Sequence, residues 1–243
     1  MPLFGIAREY AYPLAVQPNR LVPPLDGSEL SLASLELEPG RELGIADAES
    51  DALLYVVAGA GTLVLASSAL ELDTGAAALV LAGEAATVTA GRAGLALLQA
   101  SAGARADRHA PLGRREVVVR ATQTDAERAT GARSFRIVLG PHNGSTRATL
   151  FEGYVPPGKA PWHYHLYDEI LWIPEGPGRL HKDGTVADLG PGSAFRLRPR
   201  EVHIVENASP DQDLIVVGIF TPAGSPSAAY LTPDVAAEYR FDA

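Results

Sequence analysis

The chain has 243 residues, with 29 acidic against 20 basic side chains, a net charge of −9, 47% hydrophobic residues and no cysteine. The acidic balance argues against a nucleic-acid binder or a protein docked on an anionic membrane, both of which work through basic patches. The apolar content is too high for a disordered chain, and the lack of cysteine removes disulfides, thiolate metal sites and a cysteine nucleophile.

The N-terminus, MPLFGIAREYAY, has no basic region followed by an apolar run, so a cytoplasmic location is the default expectation. Residues 8–16 (REYAYPLAV) read as a strand free to pair with another chain, which makes a homodimer an expectation. Residues 52–70 are uncharged over 19 positions, close to a membrane-spanning length. Gly59-Ala60-Gly61 in their middle, flanked by Val, Leu and Tyr, instead predicts two buried strands around a glycine turn. Further strand-length runs follow at 62–65, 78–81, 117–119, 135–139 and 214–220, punctuated by 24 Gly and 19 Pro. This rhythm predicts an all-β protein, a sandwich or barrel. Residues 101–115, rich in Ala, Gly and Arg, read as a linker, and Thr232-Pro233 reads as the start of a short C-terminal helix.

The chain also repeats. Shifted by 117 residues, Asp51 falls on Asp168, Leu54 on Leu171, Gly59 on Gly176, Gly61 on Gly178 and Gly75 on Gly192. One offset across two blocks implies two copies of one β unit, with domains expected at 1–105 and 106–243.

Six histidines are present, and three of them form a pattern with one carboxylate. His163 and His165 are two apart, so an extended strand points both to one face, and Glu169 lies four further on. Imidazoles and a carboxylate converging on one point suit a divalent transition metal (Mn, Fe, Ni or Zn) with open positions for substrate. His203 follows a Gly-rich turn and a further strand, so a neighbouring strand is able to deliver it as a fourth ligand. The plainer alternative is a set of surface or core-satisfied histidines.

The segment from Gly158 through His163, His165 and Glu169 to Gly176 resembles the first motif of the cupins, with one residue fewer between Gly158 and His163. Gly192 to Asn207 resembles the second motif, with His203 and Asn207 in register but Arg198 and Arg200 standing where Pro and Gly are expected. The resemblance implies a bicupin: two tandem jelly-roll barrels, the second holding one metal ion through His163, His165, Glu169 and His203. Subtracting 117 from these four positions gives Ala46, Ala48, Ala52 and Ala86, so the N-terminal copy is expected to be metal-free and filled with small apolar side chains.

Around the expected site, Tyr167 shares the parity of the ligands, and His181 is a candidate proton shuttle, although a solvent-facing strand histidine is the plainer reading. Arg179 and Arg196, in a cluster with Arg198 and Arg200, are candidates for holding an anionic substrate, against the plainer reading of a solvated face. Trp162, Tyr164 and Trp172 have the opposite parity and are expected on outer or inter-barrel faces. The expected function is a metal-dependent enzyme acting on a small, oxygen-rich, anionic metabolite, by isomerase, lyase or dioxygenase chemistry. The competing expectations are a non-catalytic metal- or ligand-binding module and, below it, a metal-free epimerase.

Overall fold

The computed structural model describes residues 20–22, 29–129 and 131–233. The strand-like segment 8–16 and the C-terminal helix beyond Pro233 lie outside the described residues. The regular elements of the described residues are antiparallel strands and two short 3-10 turns, and no helix among them is long and apolar enough to cross a membrane.

The N-terminal half forms one eight-stranded sheet built on two long strands, Asp51–Leu65 and Ala85–Ala102. The uncharged stretch therefore does not turn at its glycines. Residues 52–65 belong to one strand, which turns only at Ala66-Ser67 into the strand Ser68–Asp73, and Gly59 and Gly61 mark register shifts where the long strand bends over its partner. The close approach there demands glycine: Gly59 has φ +84°, and a Cβ on it would sit 2.3 Å from the Gly94 carbonyl oxygen. Over residues 51–56 both faces of the strand are buried, which explains the lack of polar alternation there. Leu54, Val56, Leu63, Leu72, Val88 and Leu97 fill an internal core. Leu53, Tyr55, Leu79 and Leu98 point the other way.

The C-terminal half is a pair of six-stranded sheets. One contains Asp168–Trp172 between Ala194–Leu197 and Leu214–Thr221 and continues through Thr149–Val155 and Ser134–Leu139. The other contains Gly178–Lys182, His203–Asn207, His163–His165 and Ala229–Leu231. Alternation sends Phe151, Leu171, Val216 and Phe220 of the first sheet and Leu180 and Val205 of the second into a shared core. The outward residues of the first sheet, Leu150, Ile170, Trp172, Val217 and Ile219, pack on the outward face of the N-terminal sheet. Two buried arginines reinforce this seam: Arg147 lies 3.7 Å from Asp51, and Arg196 binds Asp168 at 2.7 Å and the Leu30 carbonyl at 2.6 Å.

Strand pairing repeats at the sequence offset. Ala52 pairs with Val80 and Tyr55 with Ala77, while Glu169 pairs with Leu197 and Trp172 with Ala194, the same pairs moved by 117. The offset slips by one at the edge strand, where Ala86 pairs with Ile45 while His203 pairs with His163. One extra residue between that strand and the central one accounts for the slip. The position matching His163 is therefore the buried Ile45 rather than Ala46, and the N-terminal core is filled by Leu, Ile and Val as much as by alanine.

Candidate metal centre

Three imidazoles come from one sheet and a carboxylate from the facing one. His163 and His203 are directly paired across the ladder, so both rings leave the same face, with centroids 4.4 Å apart. His165, two residues along, lies on that face as well, 5.1 Å from the His203 ring. The chain then leaves the sheet at Leu166-Tyr167 and enters the opposite sheet at Asp168, so Glu169 meets the histidines from across the interior rather than along one regular strand. All four side chains are buried. Donor atoms of His165, Glu169 and His203 lie within 4.8 Å of one another, and His163 borders the same cavity.

Each ring is held in the same way. The Nδ1 of His163, His165 and His203 hydrogen-bonds to the main-chain carbonyl of Pro161, Tyr167 and Glu201 respectively, each at 2.8 Å. A carbonyl only accepts, so each Nδ1 carries a hydrogen and leaves Nε2 to face the cavity, where that of His163 meets Arg133 Nη1 at 3.4 Å. Burial pushes the His163 pKa down to about 3, with the Arg133 guanidinium adding to the effect. Burial, then the neighbouring His163 and His165, holds His203 well below 6.5. Both rings are therefore neutral at ordinary pH, the form that ligates metals.

His165 differs. Burial opposes its charged form, but the Glu169 carboxylate prevails and raises its pKa. Its Nε2 lies 3.0 Å from Glu169 Oε2 without hydrogen-bond geometry, and that buried nitrogen has no hydrogen-bond partner. A lone pair facing a carboxylate in a dry pocket is repulsive unless positive charge lies between them. This orphaned nitrogen, with three preset imidazoles and one carboxylate, fits a divalent transition metal.

The cavity has a volume of about 80 Å³. Tyr167 lines it, stacked on His165 and Phe220, with its hydroxyl donating to the Pro226 carbonyl at 3.3 Å; burial, then the Glu169 charge, raises its pKa. His181 does not reach the cavity. It faces the outside of its sheet, where it binds Glu206 and meets the edge of Trp162. Arg179 sits on that outer face with Glu206 and Asp188. Arg196 is neither solvated nor in the cavity but lies in the seam between the halves. The cation that does line the cavity is Arg133, whose Nη1 lies 3.4 Å from His163 Nε2. The sequence held a signal for it: Arg133 shares the parity of Phe135 and Ile137, both directed inward. Glu201 and Glu206 are half-buried and paired with Lys182 and His181.

Fold and pocket define a small antiparallel β protein with a buried His/Glu cluster open to small molecules. Comparison with known proteins agrees. The Cupin domain family matches residues 151–220, which span Glu169 and the three histidines. L-ectoine synthase of Rhodococcus opacus (strain B4) is 32% identical over 116 residues, covering 44% of this chain and 84% of that protein. L-ectoine synthase of Rhodococcus jostii (strain RHA1) is 32% identical over 93 residues, covering 37% of this chain and 67% of that one. Among solved structures, oxalate decarboxylase from Bacillus subtilis, a protein with Mn(II) centres, superposes with a TM-score of 0.68 at 14% identity, over 85% of this chain and 72% of its own. The chain belongs to the cupin superfamily, and these relatives support an enzymatic or metal-binding role for it.

Proposed function

We propose that this protein is a bicupin of two tandem jelly-roll units, 1–105 and 106–243, with one mononuclear metal site in the second. The metal is held by His163, His165, Glu169 and His203, and the site transforms a small anionic metabolite. The observation that carries this reading is the shared anchoring of three rings by Nδ1 around one cavity, with ligand atoms of His165, Glu169 and His203 within 4.8 Å of one another and His163 on the same wall. The repeat in strand pairing supports two units of one kind. The N-terminal counterparts Ile45, Ala52 and Ala86 are apolar. The counterpart of His165 is Asp47, whose carboxylate turns outward to accept the Glu49 and Ser50 amides at 2.8 and 2.9 Å. That unit is read as a scaffold, with its apolar face covering the catalytic unit.

When bound, the metal supplies Lewis-acid polarisation of a substrate oxygen, and redox chemistry if it is iron or manganese. The chain's own residues do the rest. Arg133 draws the anion to the cluster and fixes its orientation. Phe135, Phe151 and Val216 exclude water, which strengthens every charge inside. The carbonyls of Pro161, Tyr167 and Glu201 keep the rings from turning. Tyr167, with a raised pKa and its hydroxyl committed to Pro226, acts as a hydrogen-bond donor and wall rather than a base.

Calorimetric titration of chelator-stripped protein with Mn²⁺ tests the site. The expected result is one ion per chain, with affinity reduced by tenfold or more in His165→Ala. Full affinity in that variant contradicts the assignment.

A further inference from the structure

A buried ammonium stands beside the cluster without bordering its cavity. Lys182 ends the strand Gly178–Lys182 and pairs directly with His203 across the ladder, so its side chain leaves the sheet on the face that carries the ligands. It flanks His203 on one side as His163 does on the other. Lys182 is 2% exposed, and its Nζ lies 2.5 Å from Glu201 Oε2. Burying an ammonium costs free energy that its partner only offsets, and an apolar side chain of similar volume serves stability as well or better. A charge kept at such a place points to geometry rather than to stability.

The geometry concerned is the turn that leads into the His203 strand. Glu201 supplies the main-chain carbonyl that accepts from His203 Nδ1 at 2.8 Å. Its amide donates to the Arg198 carbonyl at 3.1 Å, and its carboxylate accepts from the Arg198 amide at 2.9 Å. The Arg200 amide donates to the His165 carbonyl at 2.7 Å, which ties the same turn to the main chain of a second ligand. Arg200 stands at φ +68°, where a side chain is strained, so local preference does not hold the turn in this shape. Lys182 ties it to a neighbouring strand.

We propose that Lys182 is a positioning residue for the metal centre. Its ammonium holds the Glu201 carboxylate, the held turn fixes the Glu201 carbonyl, and that carbonyl keeps the His203 ring in its Nδ1–H form with Nε2 towards the cavity. The proposal rests on the assignment of the metal site made above and adds the device that presets one of its ligands. Without the tie the carbonyl shifts and the ring samples both tautomers. Metal then binds only the competent fraction, and apparent affinity falls in proportion.

Two readouts test this. In long-range proton–nitrogen spectra of chelator-stripped, ¹⁵N-histidine-labelled protein at pH 7.5, the His203 signals are assigned by their loss in His203→Ala. The parent is expected to show His203 as a single Nδ1–H form, and Lys182→Met a mixture of tautomers. The double variant Lys182→Met/Glu201→Gln leaves no unpaired charge, so it stays folded where Lys182→Met does not, and it is expected to show the same mixture. Calorimetric titration then uses Zn²⁺, which such sites bind more tightly than Mn²⁺. Lys182→Met is expected to weaken Zn²⁺ binding by about tenfold, the lower end of the loss when a ligand's orienting partner is removed. In the His203→Ala background the same substitution is expected to change nothing, because its route to the metal is gone. An unchanged His203 signature in folded Lys182→Met, or an equal loss of affinity with and without His203, overturns the proposal. The spectra need no metal: protein that takes up no Zn²⁺ yet loses the Nδ1–H form in Lys182→Met refutes the metal site and leaves the positioning of His203 standing.

Discussion

Lowering the pH in the presence of a chelator perturbs the pocket through its most desolvated imidazoles. His163 has a pKa of about 3 in the folded chain against 6.5 when unfolded. Between these values the unfolded chain binds a proton that the folded chain refuses, so stability present above pH 6.5 is lost as the pH falls. At pH 5 the loss has run over about 1.5 units, which at 1.36 kcal/mol per unit is about 2 kcal/mol from this ring alone. His203, also depressed, acts in the same direction. His165 acts in the opposite one: its raised pKa contributes stability below pH 6.5 that is lost as the pH rises through the folded value. Urea unfolding of the parent and of His163→Gln, in chelator from pH 7.5 to 5, isolates the single ring, because the variant keeps the other two. The parent should lose about 2 kcal/mol more than the variant over that range. Parallel pH profiles would mean that His163 is solvated, and the account of a dry pocket would fail.

Three further outcomes follow from the packing. Arg200, at φ +68°, stands in the left-handed region where the motif expects glycine; Arg200→Gly should raise stability by about 1 kcal/mol, and a lower thermal midpoint would contradict the strain. Trp172 is 1% exposed in the seam between the halves, so Trp172→Ala should cost about 3–5 kcal/mol in chemical denaturation; a cost below about 1 kcal/mol would show that the seam is loose. His181→Leu should leave metal content unchanged, since the ring faces away from the cavity, and loss of metal in that variant would place it with the ligands.

Strand content, the 117-residue repeat and the gathering of three histidines and Glu169 around one cavity were legible because each is a local pattern: alternation, a constant offset, and spacing along two adjacent segments. What the sequence hid is geometry that depends on where the chain crosses between sheets. The spacing of Glu169 from His165 pointed to one interior but not to the opposite wall from which it comes, because the break at Leu166-Tyr167 leaves no mark in composition. The glycines at 59 and 61 were read as a turn because a bulge in a long bent strand and a hairpin draw on the same residue. Arg196 and Arg179 were read together from sequence proximity, but partners set their roles: the Leu30 carbonyl, far along the chain, takes Arg196 into the seam. Arg133 lay outside both motifs, and only the fold returns its strand to the histidines.

The most direct test of the central claim is elemental analysis of the purified, untagged protein beside the Glu169→Ala/His203→Ala double variant. One equivalent of a transition metal in the parent and none in the folded variant is the predicted result. Equal metal in both proteins, or none in the parent even after reconstitution with Mn²⁺, Fe²⁺, Ni²⁺ and Zn²⁺, would contradict it.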